Sequence, residues 1–310
     1  MIKTIISSEL PVGEMFLIRK NIIRGGNGGK RLCIVTGTHG DELEGQMVCY
    51  EMARILQEQT ERLDGTVEIY PSLNPLGIDT MQRGIPNFDL DMNRIFPGDK
   101  NGTMAEQTAY TIVEDLKGAD LVIDIHSSNL YLRETPQVRI NVKDEEMLVP
   151  MAQKLDVDFI WVHDAATVLE ATLAHSLNST GTPCLVVELG VGERINHKMC
   201  RKLVGGILNL MHSMGMWDGD NATGDYGESI VCKGDRVAFL NAEASGVFLT
   251  EQKCGVWVRK GDEVGIIVEP LTGKCLSHVL SPCNGYMFTI RAYPIVYEGS
   301  LMARIYQSEL

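Results

Sequence analysis

Apolar residues in the first two thirds of the chain form short uninterrupted runs, separated by segments with helical spacing. The runs are RLCIVTG (31–37), TVEIYPSL (66–73), LVIDIH (121–126) and CLVVELG (184–190), with further strand-like segments at 16–24, 138–142 and 158–162. Apolar positions three or four residues apart predict helices that begin near Glu44 and cover 105–116, 145–155, 165–179 and 194–214. This alternation predicts an α/β fold with a mainly parallel mixed sheet flanked by helices.

The pattern changes in the polar, glycine-rich segment WDGDNATGDYGE (217–228), which is typical of a linker. After it, only short apolar segments with turn residues between them follow, and helical spacing is absent. We therefore expect a catalytic α/β domain over residues 1–222 and an all-β module over residues 223–310.

Charge and hydropathy exclude several classes of protein. The 310 residues include 28 Lys and Arg against 41 Asp and Glu, for a net charge of −13. A chain this acidic is a poor electrostatic match for nucleic acid or for an anionic membrane. It contains no apolar segment long enough to span a bilayer. We therefore expect neither nucleic acid nor a membrane as a partner.

The N-terminal residues and the cysteines indicate the compartment. The first twenty residues lack the apolar segment and cleavage site of a secretory signal. No two of the eight cysteines have CxxC spacing, which argues against a four-cysteine zinc site. We expect a cytoplasmic protein with reduced cysteines. The oligomeric state is open, and a homo-oligomer is one alternative.

Three residues that can bind a metal follow predicted strands. His39 and Glu42 lie between a strand and a helix, where ligands bind in open α/β sheets. Alone, this pair also fits a surface turn with an acid that caps the helix. His126 ends another apolar strand, and alone it also fits a hydrogen-bonded core histidine. Together, two His and one Glu form a typical catalytic zinc set with one position open for water.

A fourth residue, Glu188, ends a further apolar strand and is a candidate general base. The alternative is an acid in a salt bridge or at a helix cap. Arg83, Asn93 and Arg94 lie in a loop rich in Pro and Gly. Arginine binds carboxylates with two parallel hydrogen bonds, so this loop suits a substrate that carries a carboxylate. A solvated loop with arginines paired to nearby aspartates is the alternative.

Five segments occur together in the order found in the zinc carboxypeptidase clan. They are GTHGDELEG (37–45), NPLG (74–77), DLDMNRIFPG (89–98), DIHSS (124–128) and VVELG (186–190). The chain most resembles the succinylglutamate desuccinylase/aspartoacylase branch, over nearly its whole length. The C-terminal segments GVWVRKGDEVG (255–265), SPCNGYMF (281–288) and VYEGSLMARI (296–305) are part of the resemblance. This part also resembles the barrel-sandwich shape of lipoyl and biotinyl domains.

The resemblance implies a role for each matching residue. One zinc ion per chain would be bound by His39, Glu42 and His126, and Glu188 would be the catalytic carboxylate. The other matching residues are Arg83, which would polarise the scissile carbonyl, Asn93 and Arg94, which would bind the substrate carboxylate, and Asp91, which would orient the first histidine. A tyrosine contributes in some members, and Tyr286 is a candidate.

These residues predict a zinc-dependent amidohydrolase that removes an acyl group from a small N-acylated amino acid or a related amine, by attack of zinc-bound water. A zinc carboxypeptidase that acts on peptides is the first alternative. A non-catalytic binding protein with the same fold is the second. The acyl group is open. The candidates for selecting it follow His126 and are Ser127, Ser128, Asn129, Arg133, Glu134 and Arg139.

Overall fold

Strands fill the centre of the molecule and helices cover both of their faces. The computed structural model describes residues 1–164, 170–219 and 228–308. These described residues form six α-helices, which are α1 (Glu44–Glu58), α2 (Pro75–Thr80), α3 (Met104–Leu116), α4 (Glu145–Ala152), α5 (Leu173–Asn178) and α6 (His197–Ser213). The first eight strands are β1 (Ile2–Glu9), β2 (Met15–Gly25), β3 (Arg31–Thr36), β4 (Gly65–Tyr70), β5 (Leu121–Ser127), β6 (Leu132–Asn141), β7 (Phe159–His163) and β8 (Cys184–Gly190).

Residues 228–308 form nine more strands. They are β9 (Ile230–Lys233), β10 (Val237–Asn241), β11 (Gly246–Leu249), β12 (Val256–Val258), β13 (Glu263–Glu269), β14 (Lys274–Leu280), β15 (Gly285–Arg291), β16 (Ile295–Val296) and β17 (Leu301–Gln307). No helix in the described ranges is both long enough and apolar enough to cross a membrane.

The main sheet is mixed, which confirms the predicted fold class. Its strands run in the order β1-β2-β4-β3-β5-β8-β6-β15-β17-β10. Neighbours β4, β3, β5 and β8 are parallel, while β6 runs antiparallel to β8. The parallel strands are almost entirely buried, as expected for Val- and Ile-rich strands with helices on both faces.

Successive residues of β3 face two separate hydrophobic cores. Leu32 and Ile34 pack with apolar residues of α1 and α6, whereas Cys33 and Val35 pack with residues of α3 and α5. This follows from the alternation of side chains along a strand. The two cores pack against the central strands from both sides. Because these strands are parallel, their carboxyl ends lie at the same edge of the sheet.

The C-terminal β module is continuous with the main sheet. Strand β9 pairs with β7, and β15 pairs with β6. A second sheet of four strands, in the order β14-β13-β11-β16, packs over its own core. The predicted boundary between residues 222 and 223 lies outside the described residues. The division into two domains therefore stays a prediction.

Three elements differ from the prediction. β1 was not predicted; it is an edge strand with mostly exposed side chains, so it lacks a strong apolar pattern. In the predicted loop, α2 begins with Asn74 as its N-cap and Pro75 in its first turn. Of the predicted helix over 165–179, residues 165–169 lie outside the described ranges, and residues 170–172 are not helical. Thr172 has an extended backbone and accepts a hydrogen bond as the N-cap, so α5 begins only at Leu173.

A buried group of charges joins β2, β4 and α3. The ammonium of Lys20, which is 3% exposed, lies 2.9 Å from Glu68 and 2.7 Å from Asp115. The Tyr70 hydroxyl lies 2.8 Å from both carboxylates, and Arg31 adds a second cation 2.8 Å from Glu68. Burial alone would raise the pKa of Glu68, but hydrogen bonds from Arg31, Lys20 and Tyr70 lower it to about 2.

We expect Glu68→Gln to lower the free energy of unfolding by about 3 kcal/mol at pH 7, because it removes the buried carboxylate that pairs with both Lys20 and Arg31. The folded-state pKa lies below the unfolded value, so this stabilisation is present above about pH 5 and is lost as the pH falls toward 2. The difference between the two proteins should fall by about half at pH 3. Urea titrations at both pH values measure it. Glu61→Gln, at an exposed position, is the control. A difference independent of pH would contradict this interpretation.

Candidate metal centre

The predicted metal-binding residues meet at the carboxyl ends of the parallel strands. His39 and Glu42 lie in the turn between β3 and α1, and His126 lies near the end of β5. Gly37 has a φ of 69°, a left-handed conformation that lets the chain leave β3 sharply. Glu188 on β8 is the register partner of His126. Strand order therefore brings together residues up to 149 positions apart in the sequence.

Three side chains converge on one point. Nδ1 of His39 lies 2.9 Å from Oε1 of Glu42, and Nδ1 of His126 lies 3.0 Å from Oε2 of the same carboxylate. The two Nδ1 atoms are 3.2 Å apart. All three residues are buried. Two imidazole nitrogens and a carboxylate in such close contact form a donor set that suits a zinc ion.

The outward nitrogens of both histidines face carboxylates. Nε2 of His39 lies 2.9 Å from Oδ1 of Asp91, and Nε2 of His126 lies 3.1 Å from Oδ2 of Asp124. A histidine that binds a metal usually donates its other N–H to a carboxylate, which fixes the ring and its tautomer. This arrangement leaves both Nδ1 atoms facing each other across the site, so the residues fit a bound metal.

Opposite charges set the pKa values of the three residues. Burial alone would lower the pKa of His39, but the charges of Glu42 and Asp91 raise it. The pKa of His126 is raised in the same way, against its burial, by Asp124 and Glu42. The pKa of Glu42 lies well below its usual range, because the two histidines outweigh the effect of its burial. The site therefore holds its carboxylate ionised.

Arg83 contacts the metal-binding group directly. Its Nη1 lies 3.0 Å from Oε1 of Glu42, and its Nε lies 3.3 Å from Oδ2 of Asp91. Its side chain is 41% exposed and lines the cavity beside the metal-binding group. Arg83 thereby connects its loop to Glu42 and Asp91, the two carboxylates that contact the ring nitrogens of His39.

Asn93 and Arg94 lie on the same side of the site. The Asn93 carboxamide oxygen accepts a hydrogen bond of 3.0 Å from the backbone N–H of Leu173, at the start of α5. Arg94 donates through Nη1 to the Asn93 backbone oxygen at 2.7 Å, and its side chain is exposed. Both residues line the cavity in front of the metal-binding group.

Glu188 lines the same cavity. Burial raises its pKa to about 7, although Arg139 acts in the opposite direction. Nη1 of Arg139 lies 3.1 Å from Oε1 of Glu188. A carboxyl group with a pKa near 7 can both accept and release a proton at neutral pH, as a general acid–base requires.

The cavity has a volume of about 700 Å³, within the range of small-molecule sites. Its walls combine charged groups with apolar surface. Besides the residues described above, its lining includes Ser127, Tyr131, Glu134, Asn141, Asp144, Trp161, His163, His175 and Arg304. The cavity therefore suits a small polar ligand.

Comparison with known proteins identifies the family. Residues 28–214 match the model of the Succinylglutamate desuccinylase/Aspartoacylase catalytic domain, which is more than half of the chain. The chain belongs to this family. A curated relative, the N-alpha-acetyl-L-2,4-diaminobutyric acid deacetylase of Halomonas elongata, is 23% identical over 276 residues, which cover 86% of this chain and 79% of the relative.

Solved structures of family proteins have the same fold. The succinylglutamate desuccinylase/aspartoacylase of Rhodobacter sphaeroides superposes with a TM-score of 0.80 at 24% identity, covering 98% of this chain and 95% of that one. The product-bound Ectoine utilization protein EutE (DoeB) of Ruegeria pomeroyi gives 0.81 at 20% identity, covering 97% and 93%. The likeness extends through the C-terminal β module as well as the family's catalytic domain.

Two residues that the sequence suggested for the site, Tyr286 and Arg133, do not line the cavity. Tyr286 is buried on β15, where the centroid of its ring lies 5.5 Å from that of the Trp257 ring. Arg133 is exposed on β6. Neither is among the residues that line the cavity within the described part of the chain.

Several residues in or beside the site were not predicted from the sequence, and two of them connect distant elements. Glu44 is buried at the start of α1. Its carboxylate accepts a hydrogen bond of 2.9 Å from the Val191 N–H and another from the Ser127 hydroxyl. It thereby joins the ends of β5 and β8. Arg304 reaches the cavity from β17, far along the chain. Its segment LMARIY reads only as an ordinary strand, so no local signal identifies it.

Proposed function

We propose that this chain is a zinc-dependent amidohydrolase that removes an acyl group from a small N-acylated amino acid or a related amine. The observation that carries the proposal is the convergence of His39, Glu42 and His126, with Glu188 beside them, in one cavity. Membership of a family named for a desuccinylase and an acylase supports it.

One zinc ion per chain is proposed, with His39, Glu42 and His126 as its ligands. When bound, zinc acts as a Lewis acid that polarises the amide carbonyl and makes water more acidic. Asp91, through its hydrogen bond to Nε2 of His39, and Asp124, whose carboxylate lies 3.1 Å from Nε2 of His126, would keep Nδ1 of both imidazoles facing Glu42.

Glu188 is proposed as the general base and acid. Its carboxylate accepts a proton from the attacking water and then delivers it to the nitrogen of the leaving amine. The pKa of about 7 suits both transfers at neutral pH. Arg83, whose guanidinium lies 3.0 Å from Glu42, would stabilise the negative charge that develops on the scissile carbonyl oxygen.

Asn93 and Arg94 are proposed to bind the substrate carboxylate. Arg94 offers an exposed guanidinium at the cavity wall, and Asn93 offers a carboxamide held by the N-terminus of α5. This contact would fix the amide bond relative to Glu188, so that attack becomes effectively intramolecular.

An N-acetylated amino acid is the substrate class that the comparisons favour. The Halomonas elongata relative is a deacetylase of N-α-acetyl-L-2,4-diaminobutyric acid. We further propose a cytoplasmic location, which agrees with the eight free thiols, and the division into a catalytic domain (1–222) and a β module (223–310).

Release of free amine from a panel of substrates tests the proposed function. The zinc-loaded protein is given N-acetyl and N-succinyl amino acids, N-acyl derivatives of aspartate among them, and dipeptides, each with a free and an amidated α-carboxylate. We expect turnover of a small N-acyl amino acid, lost on amidation. Cleavage of peptides alone would indicate a carboxypeptidase, and no turnover with stoichiometric zinc would indicate a binding protein.

We expect Asp91→Asn to weaken zinc binding by about 10- to 100-fold, because asparagine removes the charge that fixes His39. Competition with a fluorescent zinc chelator measures the affinity. Asp89→Asn, two residues away at an exposed position of the same loop, is the control. Equal affinities for the wild-type protein and Asp91→Asn would refute this role of Asp91.

A further inference from the structure

The Glu188 carboxylate is held by an arginine that belongs to a longer series of ion pairs. Arg139 on β6 contacts Glu188 through Nη1, at 3.1 Å. Through Nη2 the same guanidinium donates to both oxygens of Glu134, at 2.9 and 2.8 Å. Arg139 is therefore shared between the proposed base and a second carboxylate.

Arg139, which also pairs with Glu188, does not by itself balance the charge of Glu134. Its side chain is 0% exposed, and a buried carboxylate is costly unless it is paired and hydrogen-bonded. The second cation is Arg304, whose Nη1 lies 2.6 Å from Oε1 of Glu134. Arg304 belongs to β17 of the C-terminal β module, and its guanidinium lies over the ring of Trp161 at 5.8 Å.

The four side chains thus form a series of alternating charge, Glu188–Arg139–Glu134–Arg304, that crosses three strands. Two cations balance two carboxylates. If Arg304 is removed, Arg139 becomes the remaining contact cation of the buried Glu134 in this series. The unbalanced charge of Glu134 then attracts Arg139 toward Glu134 and away from Glu188.

We propose that Arg304 is a positioning residue: through Glu134 and Arg139 it holds the Glu188 carboxylate in place, so the C-terminal β module takes part in catalysis. The proposal rests on the proposed function only for the role given to Glu188. The competing role for Arg304, direct binding of the substrate, predicts a different kinetic result.

Three variants separate these roles. Arg304→Met removes the terminal cation, and Arg304→Lys keeps the charge. The double variant Glu134→Gln with Arg304→Met also removes the buried carboxylate that competes for Arg139. Arg259→Ala removes an exposed arginine of the same module and controls for net charge.

For Arg304→Met we expect kcat to fall by about 100-fold, as for a misplacement of about 1 Å, with KM and zinc content unchanged. Arg304→Lys should recover most of kcat. The double variant should exceed Arg304→Met in kcat, because Arg139 is then free to hold Glu188. A raised KM with unchanged kcat would overturn the proposal in favour of substrate binding.

Crystal structures of the same variants give a readout that needs no turnover. We expect the Arg139–Glu188 contact to be broken in Arg304→Met and restored in the double variant. An unchanged contact in Arg304→Met would overturn the proposal. If Arg304→Met does not fold, Arg304→Lys and the double variant still provide the comparison. Absence of turnover in the wild-type protein would refute the proposed function, and the crystal structures would still decide on positioning.

Discussion

Glu188→Gln is expected to lower kcat by about 10²- to 10⁴-fold. Glutamine has nearly the same shape and keeps an oxygen for Arg139, but it cannot accept a proton from water. The substrate contacts proposed for Asn93 and Arg94 remain, so KM should change little. Steady-state kinetics on the N-acyl amino acid selected from the panel measure both constants.

Zinc content and folding provide the controls for this variant. Glu188→Gln should retain one zinc per chain, since the carboxylate is not among the three converging side chains. Glu298→Gln, at an exposed position of the C-terminal module, should behave as wild type. Near-normal turnover by Glu188→Gln would show that another group transfers the proton.

His126→Ala is expected to abolish stoichiometric zinc binding and to lower activity by more than about 100-fold. Loss of a partner outside the ligand set already costs 10- to 100-fold, and loss of a ligand costs more. The imidazole supplies one of only three donor groups that converge in the described residues. Metal analysis after gel filtration, together with turnover, measures the effect.

His197→Ala is the matched control, because His197 is exposed at the start of α6. It should keep one zinc per chain and full activity. A His126→Ala protein that still held one zinc per chain would exclude this histidine as a ligand.

Local sequence predicts the central strands and the meeting of His39, Glu42 and His126. The strands around Cys33, Ile123 and Val187 are buried on both faces, so each appears in the sequence as a short uninterrupted run of apolar residues. Parallel order then requires their carboxyl ends to meet at one edge. His39 and His126 follow such runs, which is why sequence alone brings them together. The family resemblance and the fold class are confirmed.

Contacts set by strand pairing across long distances could not be predicted. The pairing of β15 with β6 joins residues more than 150 positions apart, and no local pattern encodes a partner. Arg304 reaches the cavity through this pairing. For the same reason, Glu134 and Arg139 could be suggested from sequence, but the position of Arg139 between Glu134 and Glu188 could not.

The most direct test of the central claim is turnover of N-α-acetyl-L-2,4-diaminobutyric acid and of the panel's best substrate by chelated and reconstituted protein. We predict that removal of metal abolishes amine release and that one equivalent of zinc restores it. Full activity of the metal-free protein would contradict zinc-dependent deacylation. Restored zinc binding without release of amine from any N-acyl amino acid would contradict the deacylase assignment.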